Sequence, residues 1–462
     1  MTKLSNDSLE KTLPQKAAKS KGIVSFYTLG CKVNQYETQM LRERFTEAGY
    51  FTIDEDAPAD IYVVNTCSVT NFADKKSRQH IRQFRRHNPD AIIVVMGCYA
   101  QLKPDEVTEI PGVCIVAGTN EKSHIVDYVE DYIANNRKGS VEKHIVDYDS
   151  ISEYEDLGCI SAMESRTRAF IKVQEGCDRF CTYCIIPYAR GRARSRAPES
   201  IIREVSNLLS NGFKEIVLTG INTALYGIDW PDSEGKSRIV ELVKQISDIP
   251  GDFRIRLSSL EPNVVDVEIA EQLIKIEKLC PHMHLSVQSG SDGVLLRMGR
   301  RYNMNSYKRI VETLRSSNPL YAITTDIIVG FPQESEEEFN DTLKSVEEIG
   351  FSRVHAFKYS VRTGTKAAEM EEQCSDSIKS SRASALNEIG ENTTLKFLEL
   401  NAGTVHRVLF ERYNTIDGTI EGYTDNYIKV VCEVKTAENL EGTFADVKLV
   451  SAEDGFMTGE IV

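Results

Sequence analysis

Nowhere in the 462 residues does an apolar run approach the ~18 residues that cross a bilayer, so no membrane-spanning helix is expected. The N-terminus, MTKLSNDSLEKTLPQKAAKSKG, lacks the apolar segment of a secretory signal. Residues 1–21 therefore read as a mobile polar tail, and the expected location is the cytoplasm, with no membrane partner. Positive charge is also scarce: 55 Lys and Arg stand against 69 Asp and Glu, a net charge of −14. That total argues against nucleic acid as a partner without excluding it, because binding follows local patches. Cytoplasmic thiols stay reduced, so the eleven cysteines favour metal or redox chemistry over disulfides. The length points to two or three domains, and 41% hydrophobic with 27% charged residues fits a globular protein.

Three of the cysteines, Cys177, Cys181 and Cys184, lie in EGCDRFCTYCIIP as C-x3-C-x2-C. At this cysteine frequency about 0.006 such triplets are expected by chance. No fourth cysteine stands beside them. Three thiolates at this spacing depart from the usual four-thiolate ligation of an iron–sulfur cluster and leave one iron open to a substrate or cofactor.

Residues 22–135 alternate apolar strands (23–30, 60–67, 91–98, 113–118) with amphipathic helices (about 33–48, 71–87, after Pro104, 121–134). Near-continuous apolar strands between helices predict an open parallel α/β sheet covered on both faces. Cys31, Cys67 and Cys98 each fall at or just past the carboxyl end of a predicted strand, the edge where such sheets bind ligands. The remaining five, Cys114, Cys159, Cys280, Cys374 and Cys432, are read as structural or incidental.

Residues 136–164 are acidic and read as an irregular linker. From 165 to 395 strand–helix units repeat, with strands near 168–175, 214–220, 253–259, 283–288, 322–330 and 353–359, which predicts a complete or partial (β/α)6 barrel with its site at the strand carboxyl ends. The stretch 396–462 alternates apolar and polar residues between Gly/Asn/Asp turns, the pattern of a small antiparallel β-barrel. The whole is α/β in class. Two segments are locally basic: KKSRQHIRQFRRH (75–87), for which a solvated helix face is an equal reading, and RGRARSR, whose Arg190, Arg192, Arg194 and Arg196 are expected to form a phosphate-binding surface.

These motifs together resemble the radical S-adenosylmethionine methylthiotransferase family. The resemblance runs over residues 22–462 through LGCKVNQYET (29–38), VVNTCSVTN (63–71), VVMGCYAQ (94–101), EGCDRFCTYCIIP (175–187), LTGINTALYG (218–227), VQSGSD (287–292), DIIVGFPQE (326–334) and KYSVRTGTKAA (358–368). GCKVN and NTCSVTN resemble the branch acting on threonylcarbamoyladenosine in tRNA, and the last block looks like a TRAM domain. The resemblance implies a radical-generating 4Fe–4S cluster on Cys177, Cys181 and Cys184, and an auxiliary 4Fe–4S cluster on Cys31, Cys67 and Cys98 that presents the sulfur. It implies S-adenosylmethionine as cofactor, the tRNA anticodon stem-loop as substrate, an external electron donor such as flavodoxin or ferredoxin, a sulfur donor, and a monomer. One S-adenosylmethionine would methylate the sulfur and a second would give the radical that activates C2 of the adenine.

Further roles follow the same resemblance. Tyr183 would line the adenine pocket or simply pack, Gly220 and Asn222 would approach the methionine moiety unless Gly220 serves only a tight turn, Gln288 would bind cofactor or cap a loop, and Asp326 and Gly330 would shape the adenine pocket, with a structural anchor an equal reading for Asp326. Arg297, Arg300 and Arg301 would meet phosphates or the cofactor carboxylate, Glu334 would cap a helix, and Asn34 and Glu37 would flank the auxiliary site. Three alternatives stay open at this point: a prenylated adenosine as substrate, a ribosomal-protein aspartate as substrate, or a non-enzymatic RNA-binding protein with structural metal.

Overall fold

The computed structural model describes residues 20–53, 57–137, 139–161, 167–434 and 440–462. The tail expected at 1–21 lies outside them except for Ser20 and Lys21. The chain divides into two compact units, residues up to 160 with 186–191, and residues 161–185 with 192–462.

The first unit runs β1 (Ile23–Thr28), α1 (Lys32–Glu47), β2 (Phe51–Ile53), β3 (Ile61–Thr66), α2 (Asn71–His87), β4 (Ile92–Gly97), α3 (Cys98–Leu102), α4 (Pro104–Thr108), β5 (Val113–Ala117), α5 (Ile125–Ala134) and β6 (Glu142–His144), with α6 (Ile186–Arg190) added from later in the chain. Its strands are all parallel, in the order β2-β1-β3-β4-β5-β6. The two-residue alternation along each strand explains the burial: Val63, Val94 and Ile115 enter an apolar cluster on one face, while Tyr62, Val64, Ile93 and Val95 enter another on the opposite face. The sequence reading missed the short β2, and it took 136–164 as irregular although β6 extends the sheet there. A polar EKH strand at a sheet edge carries no apolar signal.

The second unit begins with β7 (Arg168–Lys172), β8 (Gln174–Glu175), β9 (Arg194–Ser195), α7 (Pro198–Ser210), β10 (Glu215–Thr219), α8 (Ile239–Ser247), β11 (Arg254–Leu257), α9 (Val267–Leu273) and β12 (His282–His284). It continues with α10 (Asp292–Arg297), α11 (Met304–Ser317), β13 (Ala322–Val329), α12 (Glu336–Ile349), β14 (Arg353–Lys358) and the long α13 (Asp376–Asn401). Two parallel sheets, β11-β10-β7 and β12-β13-β14, are joined by parallel bridges at Ile255–Leu279 and Leu260–Leu285, giving the expected partial barrel of six strands. Reciprocal capping boxes at Asn303/Ser306 and Ser335/Glu338 start α11 and α12.

The chain ends in β15 (Val405–Asn414), β16 (Thr419–Tyr423), β17 (Lys429–Glu433), β18 (Phe444–Ala452) and β19 (Met457–Ile461), closed as a barrel in the order β15-β16-β17-β19-β18. Four of its seams are antiparallel, as expected, and the closing β17–β19 seam is parallel. This barrel is tied to the strands before it by buried charge. Glu215 binds Arg254 Nε at 2.6 Å and Arg256 Nε at 2.8 Å. The same guanidinium groups donate to the carbonyls of Arg407, Tyr423 and Asp425.

Candidate active site

In the first unit Cys31, Cys67 and Cys98 follow β1, β3 and β4, three neighbours in the sheet, so the parallel topology brings their carboxyl ends to one edge. Cys31 is the N-cap of α1 and Cys98 opens α3. Two glycines make this edge. Gly30 has φ +109°, and a Cβ there would lie 2.7 Å from Cys67 Cβ and 3.0 Å from its sulfur. Gly97 has φ +95°, and its Cβ would lie 2.6 Å from the Thr66 carbonyl oxygen. Only glycine fits both the backbone and the space. The Gly-Cys pairs at 30–31 and 97–98 are thus a packing requirement of the thiol edge.

Burial and the neighbouring Cys98 and Cys31 thiols push the Cys67 thiol up to about 12. Burial also raises Cys98, opposed by the Arg190 guanidinium. Cys67 and Cys98 are buried and Cys31 is exposed. Buried thiols favour a cationic partner that takes up their charge, and three thiolates are the donor set of an open-cornered iron–sulfur cluster. Among the described residues no three His, Cys, Asp or Glu side chains close around a single ion.

Arg190 overturns its sequence reading. It is 1% exposed and belongs to the edge that carries Cys31, Cys67 and Cys98. Its Nε donates to Cys98 Sγ at 3.3 Å, Nη1 to Glu37 at 3.0 Å and Nη2 to Asn34 Oδ1 at 2.5 Å. Lys122 stands 3.2 Å from the same Glu37 carboxylate, and both are fully buried. Arg194 and Arg196 are buried too, Arg194 donating to the Arg192 carbonyl and Arg196 pairing with Glu204 and Ser200. Of the run RGRARSR only Arg192 is exposed, its side chain 64% accessible beside Asp178. The expected phosphate surface of Arg190, Arg192, Arg194 and Arg196 therefore does not exist, because each buried guanidinium is consumed by an internal acceptor. Asn34 and Glu37 do belong to the site, as the holders of Arg190. Changing Arg190 to Leu is expected to strip one of the two cations facing the buried Glu37 carboxylate, at a cost of about 3–5 kcal/mol. A shift of the urea midpoint reads this, and an unshifted midpoint would count against the buried pair.

In the second unit Cys177, Cys181 and Cys184 occupy the loop after β8. Gln174 ties down the start of that loop: its amide nitrogen donates to the carbonyls of Glu175 and Gly176, and its oxygen accepts from Asn222 N at 2.9 Å. Gly220 lets that residue approach, since a Cβ there would stand 3.0 Å from Gln174 Oε1. Farther along, Thr182 N–H donates to Met298 O and Ala367 N–H to Thr182 O. Glu261, which sequence reasoning missed, accepts from Arg179 at 2.8 Å and from Asn222 Nδ2 at 2.9 Å, and lies 3.5 Å from Arg300. These partners come from 39 to 82 residues away, so no local pattern announces them. Burial pushes the Cys177 thiol up to about 12, with Cys184 and Cys181 adding to it, and raises Cys181 against the pull of Arg300.

Tyr183 is half-buried, its hydroxyl accepting from Arg300 Nη2 at 2.7 Å and its ring edge-on to Phe331. Gln288 holds φ +68° while its N–H and carbonyl bridge to Asp326 and Ile328, a costly backbone state of the kind kept at sites. Burial would raise the Asp326 carboxyl, but His284, His355 and Ser286 hold it below the usual carboxylate range. Asp326 is thereby an anchor between β12 and β13. Gly330 faces α13, where a Cβ would collide with Lys379 Cγ. Glu334 does not cap α12; Ser335 does, and Glu334 instead accepts from Gly330 N–H and Arg382. Arg297 pairs with Glu338, and Arg301 is exposed.

The fold and the loop trio define a radical S-adenosylmethionine enzyme carrying an extra thiol-bearing N-terminal module. Residues 171–346 match the Radical SAM superfamily and residues 23–118 match the family described as Uncharacterized protein family UPF0004. The threonylcarbamoyladenosine tRNA methylthiotransferase of Bacillus subtilis (strain 168) is 41% identical over 95% of this chain and 96% of its own. The tRNA-2-methylthio-N(6)-dimethylallyladenosine synthase of Caldicellulosiruptor saccharolyticus is 35% identical over 94% and 91%. A radical S-adenosylmethionine methyltransferase from Kitasatospora setae, solved with cobalamin and an iron–sulfur cluster bound, shares the fold over 83% of this chain and 77% of its own, with a TM-score of 0.56 at 14% identity. The chain belongs to the radical S-adenosylmethionine methylthiotransferase family, on its threonylcarbamoyladenosine tRNA branch. Membership of the superfamily entails a 4Fe–4S cluster and S-adenosylmethionine. No helix among the described residues is long and apolar enough to cross a membrane.

Proposed function

We propose that this chain attaches a methylthio group to C2 of N6-threonylcarbamoyladenosine beside the tRNA anticodon, using two 4Fe–4S clusters. The observation that carries the reading is the pair of three-thiol sets in one chain, one in the loop after β8 and one along the β1-β3-β4 edge. Cys177, Cys181 and Cys184 would hold the radical cluster, and Cys31, Cys67 and Cys98 the auxiliary one. When bound, a three-thiolate cluster with S-adenosylmethionine supplies one-electron cleavage of a C–S bond and a carbon radical. A radical is needed because the C2–H bond is strong and not acidic, beyond the reach of a general base. The residues contribute position. Glu261 fixes Arg179, Asn222 and Arg300 around the cysteine loop, Arg300 orients Tyr183, and Arg190 fixes the Cys98 sulfur and supplies positive charge beside it. Electrons and sulfur would come from separate cytoplasmic donors, a flavodoxin- or ferredoxin-class reductant and a sulfur carrier.

The test is mass spectrometry of tRNA nucleosides from a deletion strain carrying the gene on a plasmid. The methylthio form of threonylcarbamoyladenosine should vanish on deletion and return with the plasmid. Its persistence in the deletion strain, with no paralogue present, would sink the substrate assignment; loss of a methylthiolated prenyl-adenosine instead would favour the other tRNA substrate.

A further inference from the structure

The other basic segment, KKSRQHIRQFRRH (75–87), lies on α2 and is differently placed from RGRARSR. Along α2 the exposed positions are Phe72, Lys75, Lys76, Gln79, Arg82, Arg86 and His87, recurring every three or four residues as one solvent stripe. The helix sorts its cations. Arg78 is tied to Tyr99 and Glu106, and Arg85 to the carbonyls of Pro89 and Gly112. Lys75, Lys76, Arg82 and Arg86, by contrast, have no carboxylate within ion-pair reach among the described residues, and the stripe itself contains no acid. Four cations without an ion-pair partner among the described residues, all on one face, stand out in a chain of net charge −14. At the start of the stripe Phe72 is 64% exposed, with Lys76 Nζ 5.0 Å from its ring centre, and Val69 is 53% exposed beside it. Cys67 precedes this aromatic by five residues, so the stripe begins where the auxiliary thiol edge ends.

We propose that the exposed face of α2 is the RNA-docking surface of the N-terminal unit: Lys75, Lys76, Arg82 and Arg86 track the phosphates of a single-stranded loop, and Phe72 stacks one of its bases. The inference deepens the tRNA reading above. A cationic track with an aromatic platform is the arrangement that single-stranded nucleic acid selects. An anionic membrane fits less well, because the apolar side of α2 is spent inward: Ile81 and Phe84 are buried and Phe84 stacks on Tyr62 at 4.4 Å.

The experiment is fluorescence-anisotropy binding of an unmodified anticodon stem-loop to the full-length holoenzyme across a salt series. With Lys75, Lys76, Arg82 and Arg86 all changed to Gln, Kd should rise about tenfold or more, and the slope of log K against log salt should flatten by about 3. Single changes should each flatten it by about 0.7. Phe72→Ala should raise Kd about 5- to 150-fold with the slope unchanged, the contribution of one stacked base. Circular dichroism and iron content should match the unaltered protein, since these side chains lie on the surface; if the quadruple variant fails to fold, the singles carry the test. Kd and slope equal to the unaltered protein would overturn the proposal. So would intact RNA binding with lost binding to phosphatidylcholine–phosphatidylglycerol vesicles. Binding needs no turnover, so a wrong substrate chemistry fails in the nucleoside assay while a wrong surface fails here.

Discussion

Changing Cys177, Cys181 or Cys184 singly to Ala is expected to drop 5′-deoxyadenosine formation to background. The three thiols share one loop, tied down at Gln174 and by the backbone hydrogen bonds of Thr182 to Met298 and Ala367, and that loop holds no further cysteine to replace a missing one. Reconstituted protein should fall from about eight irons per chain to about four, one four-iron cluster being lost. The converse substitutions, at Cys31, Cys67 or Cys98, should also halve the iron but leave cleavage of S-adenosylmethionine in place, and methylthiolated product should disappear. Chromatography of reaction mixtures with iron analysis of each variant checks the pair of outcomes. A Cys177→Ala protein that still releases 5′-deoxyadenosine would refute the assignment of that loop, and four irons in the unaltered protein would remove the auxiliary cluster.

The second large effect concerns stability. Glu215 is fully buried between Arg254 and Arg256, themselves nearly buried, and these arginines hold the carbonyls of the C-terminal barrel. Glu215→Ala leaves two guanidinium groups without their counter-charge, at an expected cost of about 3–5 kcal/mol. Glu215→Gln, which keeps an acceptor, should cost less. The pH dependence has a definite sign. Burial alone would raise this carboxyl, but Arg256 and Arg254 outweigh it and hold the group well below the usual carboxylate range. A carboxyl depressed on folding stabilises fully above its unfolded value of about 4.3, and that stabilisation is lost as pH falls toward the folded value. Urea midpoints measured from pH 7 down to pH 3 should therefore drop in the unaltered protein and drop less steeply in Glu215→Ala. Parallel profiles would show that Glu215 is not the group responsible.

Legibility in the sequence followed the range of the interactions. Helix α2 lies at Asn71–His87, as its pattern indicates, and the six barrel strands overlap their expected spans, because apolar periodicity is local. The strand-end placement of Cys31, Cys67 and Cys98, and the loop after a strand that carries Cys177, Cys181 and Cys184, were legible on the same ground. Arg190 was not: four alternating arginines look like a surface until Glu37, 153 residues earlier, is brought against one of them. Glu261 stayed hidden for the same reason. The α2 stripe was ambiguous, since the sequence cannot say which of its cations Glu106 and the Gly112 carbonyl consume.

Helix α6 has a consequence for how such a chain can be cut or recombined. It begins just beyond the last cysteine of the C-x3-C-x2-C loop, yet it packs as part of the first unit and supplies Arg190. A chain cut at residue 160 would retain Glu37, Lys122 and all three auxiliary thiols but would lack the arginine that answers them. The two modules are therefore not joined head to tail like beads. They are interleaved, and exchange of the N-terminal module between relatives would require a second crossover inside the radical-enzyme stretch to carry α6 along. Lineages should inherit the two parts together, and grafts that ignore α6 should fail at the auxiliary edge before they fail at the fold.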